Sequence, residues 1–388
     1  MTDKFCHMPW HAITLSANGD IKPCCQFSSG GTPNTEHATI MENFNSERMQ
    51  ELRRKFLAGE QPTECRSCWE REDQIGHSRR QWFAEKFGKY IPKNRVYSLV
   101  ELEPEFVQAD INLSNVCNLK CRMCGSWASN SWFEEELVLA NKDKRYQKNR
   151  RPQPLQQYEL DDLNNLLPHL HNIRRIDFKG GEPMMAKHHN DFLQWMIDNN
   201  HTDVHLLYTT NGTVQNPKIL SLLSAFKNVS LVFSIEGTGT RYSYIRGGKY
   251  SLQELETNIA AYSKLPNVKI MFNVTVQNYN LLNLAELREY LIELSNKYPN
   301  VDAGAAFTTI CNKPDYLSPL NVPDEIRDQA VDMLFGIADF DKLCDTLQRR
   351  TFNPDTWQTF LDYTRDLDQL RGENILDHIP EFGPYFND

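Results

Sequence analysis

Between residues 109 and 308 the chain alternates short β-branched or aromatic runs with longer amphipathic stretches, and no other feature constrains its fold as much. The pattern predicts strands at 109–114, 173–178, 204–210, 229–235, 268–276 and 301–308. Helices are predicted between them, at 127–141, 161–170, 191–198, 217–226, 252–265 and 284–297. Strands separated by helices must run parallel, because a parallel return needs a long crossover. The expected class is α/β, a partial (β/α)6 barrel of TIM type. Six strands leave such a barrel open on one side, with room for a large substrate, and the polar residues at the C-terminal strand ends form the site.

The 388 residues suffice for one large barrel or for two to three ordinary domains. The expected division is a small α+β domain over 1–100, the barrel over 101–312 and a helical extension over 313–388. In the extension, Trp357, Phe360, Leu361 and Thr364 recur at helical spacing. A net charge of -9 gives no general attraction to nucleic acid or anionic membrane. No apolar run approaches the roughly 20 residues of a membrane span, and the first residues lack a signal-peptide core. The expectation is a soluble cytoplasmic protein without membrane contact. Residues 141–158 are rich in Lys, Arg and Gln and read as a solvated loop, with nucleic acid a remote alternative. Residues 70–100, where Arg79 and Arg80 lie near Trp82 and Phe83, read as a connecting helix with a solvated face, or else as a basic-aromatic substrate surface.

Eight of the ten cysteines fall within the first 124 residues, which favours metal chemistry over a disulfide scaffold. Cys117, Cys121 and Cys124 stand in a C-x3-C-x2-C spacing at the end of the first barrel strand. Three thiolates so close can hold three irons of a [4Fe–4S] cubane and leave the fourth open, whereas electron-carrying clusters use four cysteines. A second set precedes them. Residues 12–16 read as a strand, Asn18-Gly19 as a type I′ hairpin turn, and the return strand brings Cys24 toward Cys6. Cys65 and Cys68 form a knuckle after a helix over 40–58. Four soft thiolates suit either an iron–sulfur cluster or tetrahedral zinc. Cys25 reads as a packed thiol. Cys311 is packed or else a hydrogen-atom donor, and Cys344 is structural.

The cysteine loop, followed by Gly180-Gly181-Glu182-Pro183 at the second strand end, resembles the radical SAM superfamily. Cys6, Gly19, Cys24, Cys65 and Cys68 resemble the first half of the SPASM pattern, whose shortened form is the twitch domain. In familiar members this module follows the barrel, and here it precedes it. The resemblance implies S-adenosylmethionine (SAM) on the open iron of the Cys117/Cys121/Cys124 cluster, and a second, fully ligated [4Fe–4S] cluster on Cys6, Cys24, Cys65 and Cys68. It implies that Gly180, Gly181, Glu182 and Pro183 receive the methionyl amino group. Thr210, Asn211, Ser234, Glu236, Arg246 and Gln277 would face the ribose, the carboxylate or the substrate. The residue before the last cysteine is often aromatic in the family, near the adenine; here it is Met123, which gives less ring contact.

The implied activity is reductive cleavage of SAM to a 5′-deoxyadenosyl radical that abstracts a substrate hydrogen. Modification or oxidation of a peptide or protein side chain is the first expectation, and dehydrogenation of a small alcohol or sugar the second. An electron donor such as flavodoxin or ferredoxin is implied. The rival from another class is a non-catalytic iron–sulfur or zinc protein.

Overall fold

The computed structural model describes residues 4–28, 39–101, 103–147, 152–304 and 306–386. The chain forms two compact units. One comprises residues 1–115, 156–208 and 225–229; the other comprises 116–155, 209–224 and 230–388.

In the first unit, β1 (Ala12–Leu15) and β2 (Ile21–Lys22) form an antiparallel hairpin. β1 also pairs in parallel with β3 (Gln108–Asn112), Thr14 lying opposite Asp110. β3 pairs in parallel with β4 (Arg175–Lys179), and β4 with β5 (His205–Thr210). The amino-terminal hairpin thus extends the parallel sheet. Its turn differs from the expected type I′, which needs positive φ at both central residues. Only Gly19 has positive φ, +80°, and its N–H donates to Ser16 O at 2.8 Å. The turn is therefore closed by a single left-handed glycine. One face of the sheet is apolar: Phe178 stacks on Tyr208 with ring centroids 4.8 Å apart, and the Tyr208 hydroxyl meets His189 Nε2 at 2.9 Å.

Of the cations in 70–100, Arg71, Lys86, Lys89 and Lys93 are exposed as the solvated-face reading expects, whereas Arg79 and Arg80 turn inward. Arg80 is buried, donating to Glu72 and to Phe5 O, with its guanidinium over Trp69. Arg79 lies over the Trp82 ring and within 4.0 Å of both Asp110 and Asp177, a carboxylate pair opposite one another on β3 and β4.

The second unit carries β6 (Asn228–Ser234), β7 (Val268–Asn273), β8 (Thr275–Val276), β9 (Val301–Asp302) and β10 (Thr309–Ile310). β9 lies beside β7 in parallel, and β10 beside β8. The strand predicted at 301–308 breaks after Asp302, whose carboxylate accepts the Gly304 N–H at 2.8 Å and turns the chain; residue 305 lies outside the described residues. Five of the six expected barrel strands are present and the sixth is cut to the two residues of β9, with helices between them, so the mostly parallel α/β class holds. Beyond residue 312 the chain is helical, and the longest helix, Pro354–Arg371, buries Trp357, Phe360, Leu361 and Thr364 as the spacing requires.

The basic stretch after residue 141 meets acidic partners in the same unit. Arg145 pairs with Asp143 and Asp362, Lys142 with Asp366, and the Tyr146 hydroxyl donates to Asp366. Those cations face carboxylates of the C-terminal helix. Residues 148–151 of that stretch lie outside the described residues. Among the described residues no helix is long and apolar enough to cross a membrane.

Candidate active site

In the second unit the cysteine loop is held by its backbone. Lys120 N donates to Gly247 O and Arg122 N to Ile245 O, each at 2.8 Å, so the loop lies along the end of the helix Gly239–Arg246. A side chain at Gly247 would bring its Cβ within 2.1 Å of Lys120 O, and φ there is +60°. Only glycine fits. Asn130 Oδ1 accepts Cys117 N–H at 3.2 Å, the Ser131 hydroxyl donates to Cys117 O at 2.6 Å, and Trp132 Nε1 donates to Cys121 O at 3.0 Å. Trp127 and Gly125 begin the turn that leads into these donors. The loop is thus shaped by residues immediately after it in sequence.

The thiols of Cys121 and Cys124 are hydrogen-bonded to one another. That bond raises the Cys121 pKa and lowers that of Cys124, and Arg246 favours both thiolates. Asn211 Nδ2 lies 3.5 Å from Cys117 Sγ and donates to Asn118 Oδ1 at 3.0 Å. Arg246 Nη1 donates to Glu236 Oε2 at 3.0 Å, with both residues buried. Burial pushes the Glu236 carboxyl up while Arg246 pulls it down; the net shift is upward. The Nε of Arg246 has no hydrogen-bond partner among the described residues. Gln277 is buried, Thr210 Oγ1 accepts the Gly212 N–H at 3.0 Å, and Ser234 is half-buried at the end of β6. Half-buried Met123 and Cys124 line a pocket walled by Trp127, Trp132, Tyr316 and Tyr363. Cys311 is buried, its N–H on Val276 O, and burial raises its thiol to about 11.

In the first unit Gly180 follows β4 at φ +119°. A Cβ there would lie 1.9 Å from Asn112 Oδ1 and 2.8 Å from Ser114 O. Gly181 N donates to Ser114 O at 3.0 Å. The two glycines therefore lay the β4 end against the β3 end, and the buried Glu182 caps the following turn through Met184 N, with Pro183 at its first position. Gly180→Ala is expected to cost at least about 2 kcal/mol, because both the conformation and the space exclude a methyl group. Chemical denaturation checks this; a change within about 0.5 kcal/mol would contradict the contact.

The other four thiols also lie in the first unit. Cys6, Cys24, Cys65 and Cys68 line one small pocket with Met8, Phe27, Phe56 and Trp69. The turn after Cys24 is tied to the Cys65 knuckle by Ser28 N donating to Glu64 O at 3.0 Å. Cys65 caps the helix Arg66–Ile75, which places Cys68 one turn into it. Burial pushes the Cys6 thiol up to about 12 and raises Cys24 and Cys65 also. These thiols are protonated at neutral pH without a metal, and a metal must displace the protons. Cys25, beside Cys24, is exposed rather than packed. Among the described residues no group of three or more His, Cys, Asp or Glu could hold a single metal ion. The ligands of a cubane sit on separate irons and stand further apart than the ligands of one ion.

Residues 111–291 match the family model of the radical SAM superfamily. The chain carries a radical SAM domain. Residues 6–69 match SPASM, an iron–sulfur cluster-binding domain that begins at Cys6 and ends just after Cys68. The radical SAM domain takes SAM and the [4Fe–4S] cluster that binds it, and the SPASM domain a second, auxiliary [4Fe–4S] cluster. Of the two metals left open for the amino-terminal segment, the SPASM match gives iron–sulfur. The donor sets fit: three thiols in one loop, and four around an apolar pocket.

No curated protein matches the sequence. Among solved structures, native anSMEcpe with bound AdoMet is 15% identical, with 63% of each chain covered and a TM-score of 0.40. Streptococcus suis SuiB bound to the precursor peptide SuiA is 12% identical, with 82% of this chain and 64% of that chain covered and a TM-score of 0.36. TsrM from Kitasatospora setae, with cobalamin and a [4Fe-4S] cluster bound, is 12% identical, with 48% and 34% covered and a TM-score of 0.34. This chain thus covers less than two thirds of the length of each.

The sequence reading missed Arg122, Tyr363 and Asp368, which meet at the cysteine loop. Arg122 was visible inside the loop; its partners lie 241 and 246 residues further along the chain, with no local pattern to mark them.

Proposed function

We propose that the chain holds its SAM-binding cluster on Cys117, Cys121 and Cys124 and its auxiliary cluster on Cys6, Cys24, Cys65 and Cys68, and that it modifies a peptide or protein side chain. The carrying observation is the loop itself: three thiols on a backbone fixed at Lys120 and Arg122, beside a buried Arg246–Glu236 pair. When bound, the cluster and SAM supply an electron and a 5′-deoxyadenosyl radical that abstracts a hydrogen atom. Arg246 presents its remaining Nε to an acceptor and sets a positive field around the loop thiolates. Asn211 orients the Cys117 sulfur. Gly180 and Gly181 leave backbone carbonyls approachable by an ammonium group, with the Glu182 carboxylate as a charged acceptor. The aromatic pocket beside Cys124 suits a side chain that carries both apolar and polar parts, which favours a peptide over a small alcohol.

The test is anaerobic reconstitution with SAM and dithionite, followed by addition of peptide mixtures or small polyols. Accelerated 5′-deoxyadenosine release with a mass change on a peptide supports the reading; acceleration by polyols alone overturns the substrate class. Cys65→Ala is expected to lose the iron of one cluster, to keep SAM cleavage and to fail in turnover of the accelerating substrate. Unimpaired turnover in that variant would remove the auxiliary cluster from the reaction.

A further inference from the structure

Both family matches end before residue 292, so they assign nothing to the C-terminal helices. We infer that the helix Pro354–Arg371 and the turn after it brace the radical SAM loop, with Arg122 as a positioning residue through which Asp368 and Glu373 set the loop's charge. The inference rests on the radical SAM reading and gives it a component outside the matched region.

Arg122 lies between Cys121 and Cys124 and has no exposed surface. Its Nε donates to Tyr244 O at 3.0 Å, and its Nη2 donates to Asp368 Oδ1 and to Glu373 Oε2, each at 2.5 Å. The guanidinium lies 3.5 Å from the centroid of the Tyr244 ring. Asp368 is fixed in turn: its carboxylate accepts the Tyr244 hydroxyl at 2.9 Å and Ile375 N at 2.7 Å. Five residues earlier on the same helix the Tyr363 hydroxyl donates to Arg122 O at 3.2 Å, and at the helix end Arg371 Nη2 donates to Lys120 O and to Glu135 Oε2, both at 2.8 Å. Residues 120 and 122, which separate the cysteines, are thus each held by this helix. A guanidinium buried between two ligands acts on the loop through a low-dielectric path, and the two carboxylates offset it. The potential of a thiolate-held cluster follows the net charge and hydrogen bonding around it.

The experiment is a redox titration of the reconstituted holoprotein, read by electron paramagnetic resonance with and without SAM. Asp368→Asn removes one negative charge, leaves Arg122 less compensated and is expected to raise the midpoint potential of the SAM-binding cluster. The auxiliary cluster's midpoint should not move, which separates the effect from general unfolding. Glu373→Gln, at a half-exposed partner, is expected to shift the potential in the same direction by less, and it decides the matter if Asp368→Asn does not fold. Arg122→Lys keeps the charge without the fork, and should hold the potential nearer wild type than Arg122→Met does. Unchanged potentials and SAM-bound spectra in both carboxylate variants overturn the brace. A wild-type spectrum indifferent to SAM, with no SAM cleavage, overturns the radical SAM reading itself, and the two failures are told apart on the wild-type protein.

Discussion

Cys117→Ala is expected to reduce SAM cleavage to the background of protein without iron, a loss as large as that from removing Cys121 or Cys124. Asn211 Nδ2 lies 3.5 Å from the Cys117 sulfur, and the Cys117 backbone is fixed at both ends by Asn130 and Ser131. Alanine preserves that backbone, so the fold is expected to persist while one of three ligands is lost. Two thiolates do not retain a cubane that needs three, and without it no electron reaches SAM. The measurement is methionine and 5′-deoxyadenosine formed under dithionite, with the auxiliary cluster's spectrum as the control for folding. Cleavage at the wild-type rate in Cys117→Ala would take this loop out of the reaction. Asn211→Ala leaves all three thiols in place and is expected to give a partial loss.

What the sequence made legible was whatever local chemistry dictates. The strands at β3 to β6 lie within two residues of their expected positions, and the stretch expected at 268–276 is divided into β7 and β8, because alternating β-branched residues must pack on a sheet. The last strand failed because Asp302 bends its own backbone, a local hydrogen bond that competes with pairing. Asn18-Gly19 marked a hairpin but not its type, since asparagine is only one route to a positive φ and here it does not take it. Both cysteine sets were visible from spacing. The pairing of Glu236 with Arg246 was not, because each residue alone reads as a ligand contact and nothing in the intervening residues reports that they meet. The same holds for Arg79 and Arg80, which look like a solvated basic face until helix packing turns them inward onto Glu72, Asp110 and Asp177.

Arg246→Met tests the Glu236–Arg246 pair at the level of stability. Glu236 is buried with its carboxylate held by Arg246 and, at 3.4 Å, by Thr275 N. Removing the arginine leaves a buried carboxyl without its cation, a change that costs about 3–5 kcal/mol when the charge must stay. Burial already raises the Glu236 pKa and Arg246 is the main opposing influence, so in the variant it rises further. A carboxyl whose folded pKa lies above its unfolded value contributes stability that is full below the unfolded pKa and is lost as pH rises through the folded one. The destabilisation of Arg246→Met should therefore be small near pH 4.5 and grow as pH rises toward 8, as followed by urea unfolding at each pH. Arg246→Met with Glu236→Gln removes the ionisable group, and it is expected to recover part of the lost stability and to flatten the pH dependence. A loss in Arg246→Met that is equal at all pH values, and equal in the double variant, would show that Arg246 serves by packing alone. SAM cleavage separates a second role: if the Nε of Arg246 also engages SAM, the double variant regains stability without regaining activity.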